Sequence, residues 1–353
     1  MEIIKAQIHK YFYLKEHEEK DVFFTNVIWI PKGARGVFGG QVVAQALAAA
    51  ILTVSPEFIV HSLHSYFLLA GKQNEPIYYH VERIRDGRSF SSRTVLAKQK
   101  GRIIFSMSCS FQVIESSNIE HQFSIPQTES PEYSFDKTEL SRVNQIFNSS
   151  LINSAQGSDS YDNLELATCM AIPKNKDIRK STNLMEPSVI SAKTRGKNPQ
   201  GFKEDDIVLP YNIWWFKITN NLDELMPQLH QCLLAYITDH RLLSTVNHPH
   251  FYGKNYGKNK IDMMVSLDHA VWFHSDFRID KWLIYELESP RFALNKGLVF
   301  GRVYDHRGIM VASVSQEGLI RSSPINPNEP PPKPMIFTST PPQFSNSKLA
   351  SKL

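Results

Sequence analysis

The chain is poor in cysteine. Of its 353 residues only Cys109, Cys169 and Cys232 carry a thiol, an odd number, far apart and with no Cys-x-x-Cys spacing, so neither a disulfide framework nor a zinc site is indicated. Charge of one sign is scarce as well: 39 Lys and Arg stand against 35 Asp and Glu, a net +4, too small a surplus over this length for a nucleic-acid binder. Long hydrophobic runs are missing. The longest, Val42 to Val54, is interrupted by Gln45 and falls short of the roughly 20 residues of a membrane span. The N-terminus lacks a long apolar signal region, and Glu16, Glu18 and Glu19 are out of place in a transit peptide, so secretion and mitochondrial import are not expected. No Gly-x-Ser-x-Gly elbow, Walker loop, paired-histidine zinc motif or Gly-x-Gly-x-x-Gly after a strand occurs, which disfavours the α/β-hydrolase route to ester cleavage.

What is present is an ordinary globular composition, 42% hydrophobic and 21% charged, long enough for two domains at about 150 residues each. The last three residues, Ser351-Lys352-Leu353, form the tripeptide that a peroxisomal import receptor reads through its free carboxylate. They end a polar tail rich in proline (Pro330 to Pro332, Pro334, Pro341, Pro342), expected to stay extended or disordered. The peroxisomal matrix is the expected location.

Internal order is the stronger signal. After a glycine-rich entry at Gly33, Gly36, Gly39 and Gly40, the residues Val43, Ala46, Leu47, Ala50 and Ile51 recur at the spacing of a buried helix face. Strands are then predicted at Ser62 to Leu69, Ile77 to Ile84, Ser89 to Lys98 and Arg102 to Val113, as an antiparallel meander. The second half repeats the sequence of elements: Leu229, Cys232, Leu233, Tyr236 and Ile237 mark a helix face, followed by strands at Met263 to Phe273, Trp282 to Glu288, Leu298 to Tyr304 and Ile309 to Ile320. Tyr66-Phe67 aligns with Trp272-Phe273, and Lys100-Gly101 with Arg307-Gly308. The division expected is therefore an N-terminal copy at 1–115, a connection at 116–205, a C-terminal copy at 206–322 and the tail at 323–353. The basic cluster of the connection, from Lys174 to Lys203, reads as a solvated loop. Asp268, His269 and His274 suggest metal ligands at first sight, but strand alternation sends His269 to the opposite face from the other two. No metal is expected.

The stretches Arg35-Gly36-Val37-Phe38-Gly39-Gly40-Gln41, His61-Ser62-Leu63-His64-Ser65-Tyr66-Phe67 and Arg85-Asp86-Gly87-Arg88-Ser89-Phe90 resemble the type II acyl-CoA thioesterases. Independently, Ser266-Leu267-Asp268-His269-Ala270-Val271-Trp272-Phe273-His274 and Gln316-Glu317-Gly318-Leu319-Ile320-Arg321 resemble that family's C-terminal signatures. The resemblance implies an α+β double hotdog, in which two tandem repeats each wrap an antiparallel sheet around a long helix. It implies hydrolysis of fatty acyl-CoA to fatty acid and coenzyme A, without a cofactor, by water held on three side chains. They match Asp239 as general base, Ser266 and Gln316. Backbone N–H groups at Gly39 and Gly40 are the candidate oxyanion donors. Asp268, two residues from Ser266 and expected on the same strand face, is a rival acid, and His61 and His64 are possible assistants. The first helix ends in Ile51-Leu52-Thr53-Val54-Ser55 with no carboxylate, so one active site per chain is expected. Double hotdogs also associate further, so a homo-oligomer is expected. The competing readings are a hotdog enoyl-CoA hydratase, whose Asp and His pair Asp239-His240 does not reproduce, and a non-catalytic acyl-CoA-binding protein.

Overall fold

The computed structural model describes residues 1–31, 34–126, 208–218, 220–328 and 334–337, and the backbone alone of 166–170. The expected C-terminal signal Ser351 to Leu353 and the basic cluster of the connection lie outside the described residues. Helix α1 (Glu2–Phe12) and strands β1 (Lys15–Glu16) and β2 (Val22–Thr25) precede helix α2 (Gly39–Ile51) and strands β3 (Phe58–Phe67), β4 (Ile77–Asp86), β5 (Phe90–Gln99) and β6 (Arg102–Val113). Next come β7 (Leu166–Met170), β8 (Tyr211–Ile218), helix α3 (Pro227–Thr238) and the short helix α4 (His248–Phe251). The chain continues through β9 (Asn259–Ser266), β10 (Asp268–Phe273), β11 (Leu283–Ala293), β12 (Lys296–Tyr304) and β13 (Met310–Pro324).

One continuous antiparallel sheet runs in the order β1-β2-β4-β5-β6-β3-β10-β13-β12-β11-β8-β7, with β9 added on β13. Read outward from the junction of β3 with β10, the two halves have the same topology, the double hotdog expected from the resemblance. One expectation fails in detail. The meander holds for β4-β5-β6, but β3 pairs with β6 rather than β4, which places β3 at the centre, where it pairs β10 of the other copy.

The helices lie inside this wrap and run antiparallel. The start of α2 meets the end of α3, where the Gly40 N–H reaches Asp239. The start of α3 meets the end of α2, where Gln228 donates to the Pro56 carbonyl and Gln231 to that of Val60. Alanines on α2 permit the close approach, and Val43 to Ala50 are all buried. Gln45, the polar break in the apolar run, is satisfied: its amide donates to the Phe12 carbonyl at 2.8 Å and accepts from the Tyr79 hydroxyl at 2.7 Å. Helix α1 buries Ile4, Ile8 and Phe12, four apart on one face, and its Gln7 side chain accepts from the Met226 N–H that begins α3.

At the other end of α2 the buried Arg93 guanidinium donates to the Thr53 carbonyl at 2.9 Å, to the Thr53 hydroxyl at 2.8 Å and to Asp86. It satisfies acceptors that a helix end otherwise leaves open. Arg93→Leu is expected to cost about 2–3 kcal/mol, the worth of charge-assisted hydrogen bonds in a buried place, read as a fall in the urea midpoint.

The copies differ at one point. Six residues, Leu52 to Glu57, connect α2 to β3, whereas a longer segment, Asp239 to Lys258, connects α3 to β9. It folds into short helical turns against the inner face of its own sheet, where Leu243 fills the space over Gly318 and Val246 that over Gly297. This segment starts at Asp239.

Candidate active site

Asp239 follows the last residue of α3, where the helix is closed by its backbone alone. Its carboxylate is gripped from two sides. The Gly40 N–H in the first turn of α2 donates to Oδ2 at 2.8 Å, and Gln316 Nε2 on β13 donates to Oδ1 at 2.9 Å. A helix N-terminus carries partial positive charge, so α2 from the first copy holds an anion at the end of the helix from the second. The glycines make this approach possible: a Cβ on Gly40 would lie 2.3 Å from the Tyr236 carbonyl, and one on Gly39 2.9 Å from Asp239 Oδ2.

Ser266 ends β9 and accepts the second hydrogen of the Gln316 amide. Asp239, Gln316 and Ser266 are thus brought together, with Gln316 fully buried and the other two half-buried. Gly40 joins them, but its N–H is committed to the carboxylate. Gly39 adjoins Asp239 and Phe67.

Asp268 does not stand with Ser266. The expected strand from Met263 to Phe273 is broken at Leu267, whose N–H donates to the Glu317 carbonyl while its carbonyl accepts from the Phe67 N–H. Gly318 pairs with Ser266, and Ala270 with Ser315, which sets His269 across from Gln316. Three steps on one strand oppose two on the other, and such a bulge changes the phase of the side chains. Ser266 and His269 face inward, and Asp268 turns away, its carboxylate accepting from the Glu317 N–H at 2.6 Å. Burial raises its pKa. His61 and His64 also lie off the site, edge-on to Phe90 and Trp272 respectively.

His240, next to Asp239, turns elsewhere. Its Nε2 accepts from Arg241 Nε at 3.2 Å, and burial, then the Arg241 charge, pushes its pKa down to about 3. The Arg241 guanidinium itself lies 4.2 Å over the Trp214 ring. Tyr285 donates its hydroxyl to the Thr238 carbonyl at 3.0 Å. Burial and the nearby Asp239 charge raise the pKa of both Tyr236 and Tyr285, so both keep their protons at neutral pH. Among the described residues no cluster of three or more His, Cys, Asp or Glu is placed to hold a metal ion, and no helix is long and apolar enough to cross a membrane.

The places that correspond in the first copy are apolar or already occupied. By strand register, Ser266, His269 and Gln316 match Val60, Leu63 and Cys109. Where Asp239 follows α3, Leu52 and Thr53 follow α2, and the Thr53 hydroxyl is held by Arg93.

Sequence comparison matches the family model described as acyl-CoA thioesterase to residues 199–319, and the acyl-CoA thioesterase N-terminal domain to residues 27–112. Acyl-coenzyme A thioesterase 8 of Rattus norvegicus is 35% identical over 87% of this chain and 86% of its own. The peroxisomal acyl-coenzyme A thioester hydrolase 1 of Saccharomyces cerevisiae is 28% identical over 82% of this chain and 87% of its own. The crystal structure of acyl-CoA thioesterase II TesB2 from Mycobacterium marinum superimposes with a TM-score of 0.62 at 30% identity, over 89% of this chain and 98% of that one. A relative this similar along nearly its whole length, matched at both repeats, fixes the family: the chain belongs to the acyl-CoA thioesterases.

Proposed function

We propose that this protein hydrolyses fatty acyl-CoA to a free fatty acid and coenzyme A in the peroxisome, with Asp239 activating the attacking water. The observation that carries the reading is the carboxylate held between the N-terminus of α2 and Gln316, with Ser266 on the other hydrogen of the same amide. Each carboxylate oxygen has a lone pair left over after one hydrogen bond, so Asp239 can accept from a water. Ser266, having accepted from Gln316, keeps its own hydrogen and a lone pair to orient that water.

The water oxygen attacks the thioester carbonyl carbon as its proton passes to Asp239. The tetrahedral intermediate then expels the coenzyme A thiolate, which takes the proton back. No covalent acyl-enzyme and no cofactor is needed, because the thiolate is a good leaving group. Gly40 being committed to the carboxylate, the Gly39 N–H at the same positive helix end is assigned to the oxyanion. Peroxisomal delivery rests on Ser351-Lys352-Leu353 as the segment read by the import receptor, and the yeast relative's name agrees with it.

The purified chain, offered a panel of saturated acyl-CoA and enoyl-CoA esters, is expected to release free thiol from them, with no loss of enoyl absorbance ahead of thiol. Ser266→Ala should lower kcat about 10- to 100-fold through loss of water orientation. Hydration of the enoyl ester without thiol release would convert the reading to the hydratase, and tight binding without either reaction to a carrier.

A further inference from the structure

A buried imidazole beside this site has no assigned role. His269 is fully buried, on the inner face of β10 and across from Gln316 on β13. The corresponding pair in the first copy is Leu63 and Cys109, directly opposed on β3 and β6. The wrap therefore closes well with apolar side chains at these two positions. In the second copy both are polar, together with Ser266 and Asp239, and a histidine there is not a demand of packing.

The hydrogen bonds leave one gap. Both amide hydrogens of Gln316 are spent, on Asp239 and on Ser266, while its Oε1 is buried and unpartnered. On the ring, Nε2 lies 3.1 Å from the Thr238 hydroxyl, which also reaches the Ala235 carbonyl at 3.2 Å, while Nδ1 is likewise buried and unpartnered. The two residues face each other across β10 and β13, so the two orphaned atoms belong to neighbouring side chains. A neutral ring carries one hydrogen, and its position decides whether these atoms are satisfied. With the hydrogen on Nε2, Gln316 Oε1 and Nδ1 both stay unpaired. With it on Nδ1, the ring has a hydrogen to give Gln316 Oε1, and Nε2 accepts the Thr238 hydroxyl, which turns to it from the Ala235 carbonyl; both orphaned atoms of the pair then gain a partner. Burial keeps the ring neutral, against the pull of the Asp239 charge.

We propose that His269 is a positioning residue: neutral and protonated on Nδ1, it holds the Gln316 carbonyl so that the amide nitrogen faces Asp239 and Ser266. An amide has two orientations of nearly equal shape. The reversed one would set Oε1 against the Asp239 carboxylate and turn Ser266 from acceptor to donor, spending the hydrogen that orients the water. His269 selects the productive orientation without touching substrate. This assignment rests on Asp239, Ser266 and Gln316 being the reacting set.

The test compares His269→Leu, the side chain that the first copy uses, with His269→Asn, whose amide offers a hydrogen near the place of Nδ1–H. The Leu variant is expected to lose 10- to 100-fold in kcat for thioester hydrolysis with KM within twofold of the wild type, and the Asn variant to stay within fivefold in kcat. In a Gln316→Ala background the Leu substitution should cost nothing further, since His269 acts through Gln316. Selective ¹⁵N labelling of histidine in the wild-type protein should show a neutral ring at pH 7 with hydrogen on Nδ1, a readout that does not depend on any variant folding. The proposal is overturned by an unaltered kcat in the Leu variant, by additive losses in the double variant, by an Asn variant no better than Leu, or by hydrogen on Nε2. A wild-type protein that releases no thiol from any acyl-CoA defeats the proposed function instead, and the ¹⁵N spectrum still decides the tautomer.

Discussion

Replacing Asp239 by asparagine is expected to lower kcat for acyl-CoA hydrolysis by about 10³ to 10⁴ while the protein stays folded. A general base contributes 10²- to 10⁴-fold, and the substitution does more than remove one. An asparagine can still accept the Gly40 N–H through its carbonyl, but its amide nitrogen then meets Gln316 Nε2, donor against donor, where Oδ1 now accepts at 2.9 Å. Gln316 loses its anchor as the base is lost. KM should change little, because the shape of the site is kept and the carboxylate acts on water rather than on the acyl chain. Stability should fall by at most about 1–3 kcal/mol, the cost of the donor left unpaired on Gln316, because relief of the charge from the dipole at the end of α3 offsets part of that loss. The loss should be essentially complete, with no second-site remainder, because the first copy places Val60, Leu63 and Cys109 where the second has Ser266, His269 and Gln316. Steady-state kinetics with a thiol reagent, beside a thermal melt, checks both halves; a kcat within tenfold of wild type in a folded protein would sink the assignment of Asp239 as base.

Much of the fold was legible in the sequence because the two helix faces and eight of the strands carry strong periodic patterns, and because the patterns occur twice in one order. The parts that escaped have physical reasons. Strand β2 is only four residues long. Strand β8 has both faces covered, with Ile213 and Trp215 in one apolar cluster and Phe216 and Ile218 in the other, so the polar and apolar alternation that marks a half-exposed strand is absent. Helix α1 has a narrow apolar stripe of Ile4, Ile8 and Phe12 amid polar residues. The spacing between copies carried an unused clue: strands correspond at about 206 residues, but the helix faces at 186, as from Val43 to Leu229. The mismatch is the added segment after Asp239, which packs over Gly318, the strand partner of Ser266.

For the site, Asp239, Ser266 and Gln316 were reached through resemblance, and in the structure the Gln316 amide joins the other two. Gly40 was expected to serve an oxyanion and instead serves the carboxylate. No local pattern reveals that, since it depends on two helices of different copies lying antiparallel, 199 residues apart in the chain. Asp268 was set on the wrong face because the bulge at Leu267 is invisible to strict alternation.

Acid should destabilise this protein steeply between pH 6.5 and about 4. His230 and His248 are both buried, and burial holds each neutral with a pKa pushed down to about 4. For His230 the neutral form is also required by a bond, because its Nδ1 accepts the Ile279 N–H at 3.2 Å. In the unfolded chain both return to about 6.5. Above pH 6.5 neither state binds the protons and stability is at its full value. Below it, the unfolded chain takes up protons that these two imidazoles refuse in the native fold until pH falls to about 4, and His240 and His269 add to the effect, so stability is lost across that window. Each histidine contributes about 1.4 kcal/mol per pH unit, and the pair about 4 kcal/mol between pH 6.5 and 5, a large share of the roughly 5–15 kcal/mol that holds a protein folded. Urea midpoints measured at pH 7, 6 and 5 should fall steeply between the last two, and His230→Gln should remove its own share of that slope, about 1.4 kcal/mol per pH unit. A flat midpoint down to pH 5 would show that these imidazoles are hydrated. The effect reaches the active site through position: His248 opens α4 in the segment that begins at Asp239, so charging it loosens the chain that follows the base, and activity should fail in acid together with stability.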